Sequence, residues 1–530
     1  MSPLLEVRDL SVRFGGSDVV DGVGFEIEPG ECLAIVGESG SGKSVTARTL
    51  LGLAGPGARV AASVLAFGDT NLLDASPARM RSLRGREIGF VSQGALVALD
   101  PLLPIGREVA DSLRIHTSLS PRERQARVVE LLAEVGVSEP GLRAAQRPDE
   151  LSGGLRQRAV IASAVALRPR LLIADEPTTA LDTRVQAEIL DLLDRLRTDG
   201  TAILLISHDL AVVSRLASRI VVMEKGRVVE SGVTARVLQF PQHPYTRRLI
   251  AAVPTGRPRG SRLTDAPVAA VAAVADASDV SDASGEVVLE ASRLVRRFGS
   301  RTAVDDVSFA LRPGRTLGVV GESGSGKTTV ARLVLGLERP DAGSVSLLGQ
   351  PWASVSERDR RDRRARIGAI YQDALSSFDP RLTVGQILAD ALTRGRSRRA
   401  DVSGLLLQVG LDPSIASRRP RYLSGGQQQR VGIARAIAPR PDILVCDEPV
   451  SSLDVSVQAQ VLDLLDDLQR SHGLSYLFIT HDLGVVRHMS DDVLVMRGGR
   501  VLESGATEVV FGAPKHDYTR ALIASAPRIG

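Results

Sequence analysis

The sequence predicts an α/β protein of two tandem modules, each built on a mainly parallel sheet, and three observations carry that prediction. The octapeptide Gly37-Glu38-Ser39-Gly40-Ser41-Gly42-Lys43-Ser44 returns as Gly321-Glu322-Ser323-Gly324-Ser325-Gly326-Lys327-Thr328 with only its last residue changed, which marks a repeated unit. Short apolar runs at 171–174, 202–206, 443–446 and 476–479 alternate with helical patterns such as Val128, Leu131, Leu132 and Val135, as parallel strands joined through helices require. Segments 4–14 and 287–298 have alternating strand character ahead of each octapeptide, predicting a small antiparallel sheet beside the main one.

The repeat extends beyond the octapeptide. Gln93 and Gln372, Ser152 and Ser424, Asp175 and Asp447, and His208 and His481 recur at offsets of 272 to 279 residues. The two lysines stand 284 apart, so the first module carries 12 extra residues before Ser152, expected in surface loops. Residues 1–253 form the first module and 287–530 the second. The stretch 254–286, rich in Ala, Val, Asp, Ser, Gly and Pro, reads as a flexible tether, with a short helix at 268–275 as the alternative.

Composition is that of globular protein, with 43% hydrophobic and 24% charged residues. A net charge of +4 over 530 residues gives no reason to expect nucleic acid or an acidic partner. Cys32 and Cys446, the only cysteines, fall in apolar runs, so neither a disulfide framework nor a cysteine metal cluster is expected, which fits a reducing compartment. Residues 1–14 lack the apolar core of a signal peptide. The nearly apolar stretch 266–275 is shorter than the ~18 to 20 residues that span a bilayer, so a membrane role is expected to run through a partner. The arginine-rich run 358–366, interrupted by Asp359 and Asp362 and matched by 79–86, reads as a solvated helical face.

Each octapeptide fits G-x-x-x-x-G-K-[ST], in which glycines let backbone N–H groups converge on phosphate oxygens and the lysine reaches the β/γ-phosphates. The context fits: Cys32-Leu33-Ala34-Ile35-Val36 and Thr316-Leu317-Gly318-Val319-Val320 read as buried strands, 45–53 and 329–337 as helices, so phosphate would meet a helix N-terminus. Ser44 and Thr328 would hold Mg²⁺. Only four of the 66 basic residues are lysines, and Lys43 and Lys327 are two of them; a planar guanidinium does not replace a compact ammonium in such a cradle.

A second pair of motifs ends an apolar run in two carboxylates, Asp175-Glu176-Pro177 and Asp447-Glu448-Pro449. A strand leaving the core delivers both acids to the sheet edge that carries the phosphate loop. The aspartate would bind Mg²⁺, and the glutamate would polarise attacking water as general base.

Leu151-Ser152-Gly153-Gly154-Leu155-Arg156-Gln157-Arg158 and Leu423-Ser424-Gly425-Gly426-Gln427-Gln428-Gln429-Arg430 resemble the signature of ABC ATPases, and the resemblance covers essentially the whole chain. It implies P-loop NTPase modules, each with an added helical subdomain, that bind and hydrolyse ATP with Mg²⁺. Gln93 and Gln372 resemble the Q-loop glutamine that meets the metal and nucleotide, Asp182 and Asp454 close segments similar to the D-loop, and His208 and His481 resemble the switch histidine. Phe14 and Phe298 stand where the family stacks an aromatic ring on adenine, with a plain strand-end core residue as the open alternative. In the family two modules meet head to tail, so ATP on Lys43 would be covered by Ser424, Gly425 and Gly426, and ATP on Lys327 by Ser152, Gly153 and Gly154, with closure and release doing mechanical work.

His243-Pro244-Tyr245-Thr246 and His516-Asp517-Tyr518-Thr519, one after each module, resemble the tail of ATPases serving dipeptide, oligopeptide and nickel importers. That likeness implies a fused ATPase pair working peripherally at the cytoplasmic face of the inner membrane. Its partners would be two permease subunits and, through them, an extracytoplasmic binding protein. The cysteines that many members carry after one tail are absent, so no iron-sulfur cluster is expected, and Gln93 is followed by Gly94 where the second module keeps Asp373. A ribosome-binding two-module ATPase fits less well, because 254–286 is short and acidic in its second half and an aromatic content of 3% leaves few stacking platforms for RNA. A fused sugar-importer ATPase fits less well because both ATP motif sets are intact and the His-Pro-Tyr-Thr tail is present.

Overall fold

The computed structural model describes residues 3–94, 98–179, 181–264, 286–394, 401–451 and 453–526. The chain divides into two compact units, one of Met1–Leu181 and Val185–Ile250, the other of Ala251–Ala526 together with Asp182–Arg184.

In the first, six strands lie in the spatial order Arg227–Val233, Arg219–Glu224, Cys32–Val36, Ala202–Ile206, Leu171–Asp175 and Ile88–Val91. All neighbours run parallel except the edge strand Arg227–Val233. The three central strands are buried at every position, the pattern of a sheet covered on both faces. The second unit repeats the arrangement with Ile367–Ile370, Ile443–Asp447, Ser475–Ile479, Thr316–Val320, Asp492–Arg497 and Arg500–Ala506. Both cysteines are free and buried, within Cys32–Val36 and Ile443–Asp447.

A smaller antiparallel sheet accompanies each main one, as the alternating segments predict. Leu5–Phe14 pairs with Ser17–Ile27, Val64–Phe67 and Arg59–Ala61, and Leu289–Phe298 with Arg301–Leu311 and Ala342–Leu347. Leu5, Leu10 and Val12 face the same core as Leu33 and Ile35 of the main sheet, so the two sheets share one apolar interior.

The helices that follow the phosphate loops run Lys43–Leu50 and Lys327–Val334, starting and ending earlier than the predicted 45–53 and 329–337. Gly42 at φ +98 and Gly326 at φ +102 turn the chain directly into the helix, and Gly52 and Gly336 in the left-handed region follow its end.

Three sequence expectations change. The run 358–366 is not a plain solvated face: Arg360 is buried, its Nη1 donates to Gly336 O at 2.6 Å, and Arg364 donates to Leu335 O. Arg360, Arg363 and Arg364 also gather around the buried ring of Trp352 at 5.7 to 5.9 Å. Their charges complement the C-terminal carbonyls of the helix that begins at Lys327, as Arg84 does at Leu51 O in the first unit (2.8 Å).

The extra residues of the first module are partly helical rather than loop. Gln93 to Ser152 is seven residues longer than Gln372 to Ser424, and the helix Pro121–Glu134 has 14 residues against seven in Val402–Gln408. A Ser120–Glu123 capping box and the buried Val128, Leu131 and Leu132 make the longer helix stable.

The first part of the stretch expected as a tether is packed on the second unit. Leu263 is buried in its core, and the Asp463 carboxylate accepts from Leu263 N (3.0 Å), Thr264 N (3.0 Å) and Thr264 Oγ1 (2.6 Å). Arg259 donates to Met489 O at 2.6 Å, and Arg262 pairs with Asp467 at 3.2 Å. The remainder of the expected tether, with the alternative helix at 268–275, lies outside the described residues. Among the described residues, no helix is long and apolar enough to cross a membrane.

Candidate nucleotide site

Each glycine-rich loop leaves the end of a central strand and enters a helix, so the topology delivers the loop to one sheet edge. Gly37 at φ +153 passes so close to the neighbouring strand that an added Cβ would sit 2.2 Å from Met223 O, and Gly321 meets Met496 O in the same way at 2.1 Å. Lys43 is buried, and its Nζ donates to Gly37 O (2.7 Å), Glu38 O (2.7 Å) and Ser41 Oγ (3.3 Å). Lys327 repeats these contacts with Gly321 O (2.7 Å), Glu322 O (2.8 Å) and Ser325 Oγ (3.4 Å).

The strand Leu171–Asp175 brings its last carboxylate to the loop, where Ser44 Oγ donates to Asp175 Oδ1 at 3.0 Å. Thr328 Oγ1 reaches Asp447 Oδ1 at 3.4 Å in the second unit. Asp175 Oδ2 is buried without a hydrogen-bond partner among the described residues. Burial pushes the Asp175 carboxyl above its usual range, against the lowering effect of the Ser44 hydrogen bond. Asp447 is raised as well, by burial first and the neighbouring Glu448 charge second.

Glu176 and Glu448 hold the left-handed backbone conformation at φ 52° and 48°, a costly one for residues with a Cβ. The turn aims each carboxylate at two other sequence-predicted residues. His208 Nδ1 lies 3.1 Å from Glu176 Oε1, and Gln93 Nε2 donates to Oε2 at 2.8 Å. His481 and Gln372 bind Glu448 at 3.1 and 2.9 Å. Burial alone would raise both glutamates, but hydrogen bonding to and the charge of the histidine outweigh it and hold each below the usual carboxylate range. Burial would likewise lower both histidines, and the glutamates outweigh it, raising them.

Ser152 and Ser424 are N-caps of Gly153–Val165 and Gly425–Ile437, their hydroxyls accepting from Leu155 N and Gln427 N. Asp454 caps Val455–His472, and Asp182 immediately precedes Thr183–Thr198. Phe14 is half-buried against the first core, whereas Phe298 is 44% exposed with the Arg296 guanidinium 4.8 Å from its ring.

Two features escaped the sequence reading. Thr179 Oγ1 donates to Glu176 Oε2 at 3.0 Å, adding a second donor to that oxygen. Tyr245 and Tyr518, noted in the sequence only as part of the tail motifs, reach the phosphate loops: Glu38 N donates to Tyr245 Oη at 2.9 Å and Glu322 N to Tyr518 Oη at 3.2 Å. The recurrence of the tyrosine in both tails was the available signal.

Comparison with protein families matches the ABC transporter family at residues 20–179 and 304–451, more than half of the chain. The chain is an ABC transporter ATP-binding protein. This ATPase also matches the oligopeptide/dipeptide transporter C-terminal region at 229–277 and 502–530, so a peptide-transporter tail follows each module. It is 45% identical to the peptidoglycan transport ATP-binding protein YejF of Agrobacterium fabrum over 99% of this chain and 96% of that protein. It is 42% identical to the oligopeptide transport ATP-binding protein OppD of Mycobacterium tuberculosis, over 100% and 99%. The glutathione import ATP-binding protein GsiA of Salmonella typhimurium is 40% identical, over 99% and 89%. Among solved structures, a complex of an archaeal ribosomal stalk protein with an archaeal ribosome recycling factor matches with a TM-score of 0.62 at 20% identity, covering 93% of this chain and 88% of that one, which shows the fold alone. As a member of its family, the ABC transporter ATPase binds nucleotide and hydrolyses ATP to energise transport.

Proposed function

We propose that this ATPase powers uptake of peptide-class solutes from the cytoplasmic face of the cell membrane, seated peripherally on two permease subunits that an extracytoplasmic binding protein supplies. The observation that carries the reading is the joint presence, in both modules, of a complete set of ATP-site residues and a peptide-transporter tail. Relatives named for peptidoglycan, oligopeptide and glutathione transport support a peptide-class solute.

In this reading Lys43 and Lys327 bind the β/γ-phosphates with the loop N–H groups of residues 39–44 and 323–328, and Phe14 and Phe298 carry adenine. Ser152, Gly153 and Gly154, with Ser424, Gly425 and Gly426, offer a hydroxyl and helix-opening N–H groups to phosphate. Asp182 and Asp454 flank the nucleotides.

The hard oxygen donors Ser44, Asp175 and Gln93, with Thr328, Asp447 and Gln372, suit Mg²⁺, and the unpartnered buried Oδ2 of Asp175 fits that role. A bound Mg²⁺ would neutralise charge on the phosphate oxygens. Glu176 and Glu448 take the proton of the attacking water. His208 and His481 hold the glutamates in place by their 3.1 Å contacts. Closure and reopening of the modules on ATP binding and hydrolysis would pass work to the permeases.

Affinity purification of the full chain from detergent-solubilised membranes tests the proposal. Two membrane-spanning proteins should co-purify; co-purification with ribosomes in their place would contradict it.

A further inference from the structure

We propose that Tyr245 and Tyr518 are positioning residues for ATP, each fixing the first peptide plane of its module's phosphate loop. The inference rests on the reading of Lys43 and Lys327 as ATP ligands.

The peptide between Gly37 and Glu38 is held at both ends. Its carbonyl accepts from Lys43 Nζ at 2.7 Å, and its N–H donates to Tyr245 Oη at 2.9 Å. The peptide between Gly321 and Glu322 is held likewise, by Lys327 Nζ at 2.7 Å and Tyr518 Oη at 3.2 Å. The tyrosines arrive from helices Pro244–Ala251 and Asp517–Ser525, 207 and 196 residues along the chain from the groups they bind. Two of the five tyrosines in 530 residues are used this way, at one repeated position, although Pro244 and Arg248 of the first tail are replaced by Asp517 and Ala521 in the second.

The tails are built to present the hydroxyl. His243 Nδ1 accepts from Tyr245 N at 3.2 Å, capping the helix, and Glu230 accepts from Gln242 N and His243 N at 2.8 and 3.0 Å. His516 Nδ1 and Glu503 repeat this in the second module, with His516 accepting from Tyr518 N at 3.0 Å. An arginine covers each ring, Arg248 at 5.8 Å from Tyr245 and Arg497 at 4.9 Å from Tyr518. The rings are 2% and 7% exposed, so each hydroxyl is delivered from a fixed side chain.

Packing alone needs only the ring, which phenylalanine would supply. The hydroxyl matters for the loop because Gly37 and Gly321 lack the Cβ that restricts backbone rotation, so the orientation of this peptide depends on the groups that bind its two ends. Phosphate must draw on the lysine ammonium, which donates here to the Gly37 and Glu38 carbonyls, so the lysine's hold on the plane weakens as ATP binds. The tyrosine hydroxyl is not drawn away, and it keeps the plane oriented when the loop is loaded.

The test uses the full chain with Mg²⁺ and ATP. In Tyr245→Phe plus Tyr518→Phe, the KM for ATP should rise about three- to tenfold, the worth of one hydrogen bond, with kcat within about twofold of the parent. Leu249→Ala plus Leu522→Ala, which loosens tail packing without touching the hydroxyl, should lower Tm and leave KM unchanged. An unchanged KM in the phenylalanine variant, or an equal KM rise in the alanine variant, overturns the proposal. Full ATPase activity in Lys43→Ala plus Lys327→Ala would overturn the underlying site reading, and the inference with it.

Discussion

His208 Nδ1 stands 3.1 Å from Glu176 Oε1, and the same 3.1 Å separates His481 Nδ1 from Glu448 Oε1. Each histidine is raised above its ordinary 6.5 and each glutamate lowered below its ordinary 4.5, so each pair favours its doubly charged form. The histidine contribution to stability is complete below pH 6.5 and lost as pH rises through the raised folded-state value. The glutamate contribution is present above pH 4.5 and lost as pH falls through the lowered one. The Tm advantage of the parent over His208→Gln plus His481→Gln should therefore be greatest between these limits and shrink as pH climbs past 6.5. Melting curves from pH 5 to 9 check this, and a gap that widens with pH would refute it.

Glu176→Gln plus Glu448→Gln should lower ATP turnover by ~10² to 10⁴ while ATP binding persists, because the amide still fills the turn but takes no proton. Glutamine still accepts one hydrogen bond, so the fold should survive. Turnover of ATP and equilibrium ATP binding, measured side by side, separate loss of the base from loss of the site.

Asp175→Asn and Asp447→Asn address the raised carboxyls. A buried acid whose folded value is raised contributes stability at low pH that is lost as pH rises through that value, so the charge is a liability to folding at pH 7. Both substitutions should keep or raise Tm at neutral pH while Mg²⁺-dependent ATPase activity collapses. A fall in Tm of about 5 °C or more would count against the electrostatic account.

Asp463→Ala should release the 259–264 stretch from the second module. The substitution leaves Leu263 N, Thr264 N and Thr264 Oγ1 without their acceptor, at a cost of about 1 to 3 kcal/mol. Limited proteolysis should then cut at Arg259 or Arg262 faster than in the parent, and an unchanged cleavage pattern would show that the docking contributes little.

Much of this was legible because repetition doubled every signal. The strands Cys32–Val36 and Thr316–Val320 and the small antiparallel sheets followed from paired motifs and periodicity, and motifs singled out Glu176, Gln93 and His208 one by one, but not their meeting at one carboxylate. What escaped depended on tertiary partners. The bond from Glu38 N to Tyr245 Oη joins groups 207 residues apart, and no local pattern encodes it. Leu263 was a lone apolar residue in a polar stretch, and only the buried Asp463 beneath it makes the segment adhere. Arginines 360 and 364 read as solvent-facing by composition, whereas helix-end carbonyls and the Trp352 face draw them inward.

If ATP hydrolysis at Glu176 and Glu448 drives import of a peptide-class solute, uptake of a labelled oligopeptide must depend on both carboxylates. Proteoliposomes would hold the full chain with its co-purified membrane partners and binding protein. The parent chain should give ATP-dependent accumulation that disappears in Glu176→Gln plus Glu448→Gln. Accumulation that needs no ATP, or that survives in the double variant, would contradict this coupling.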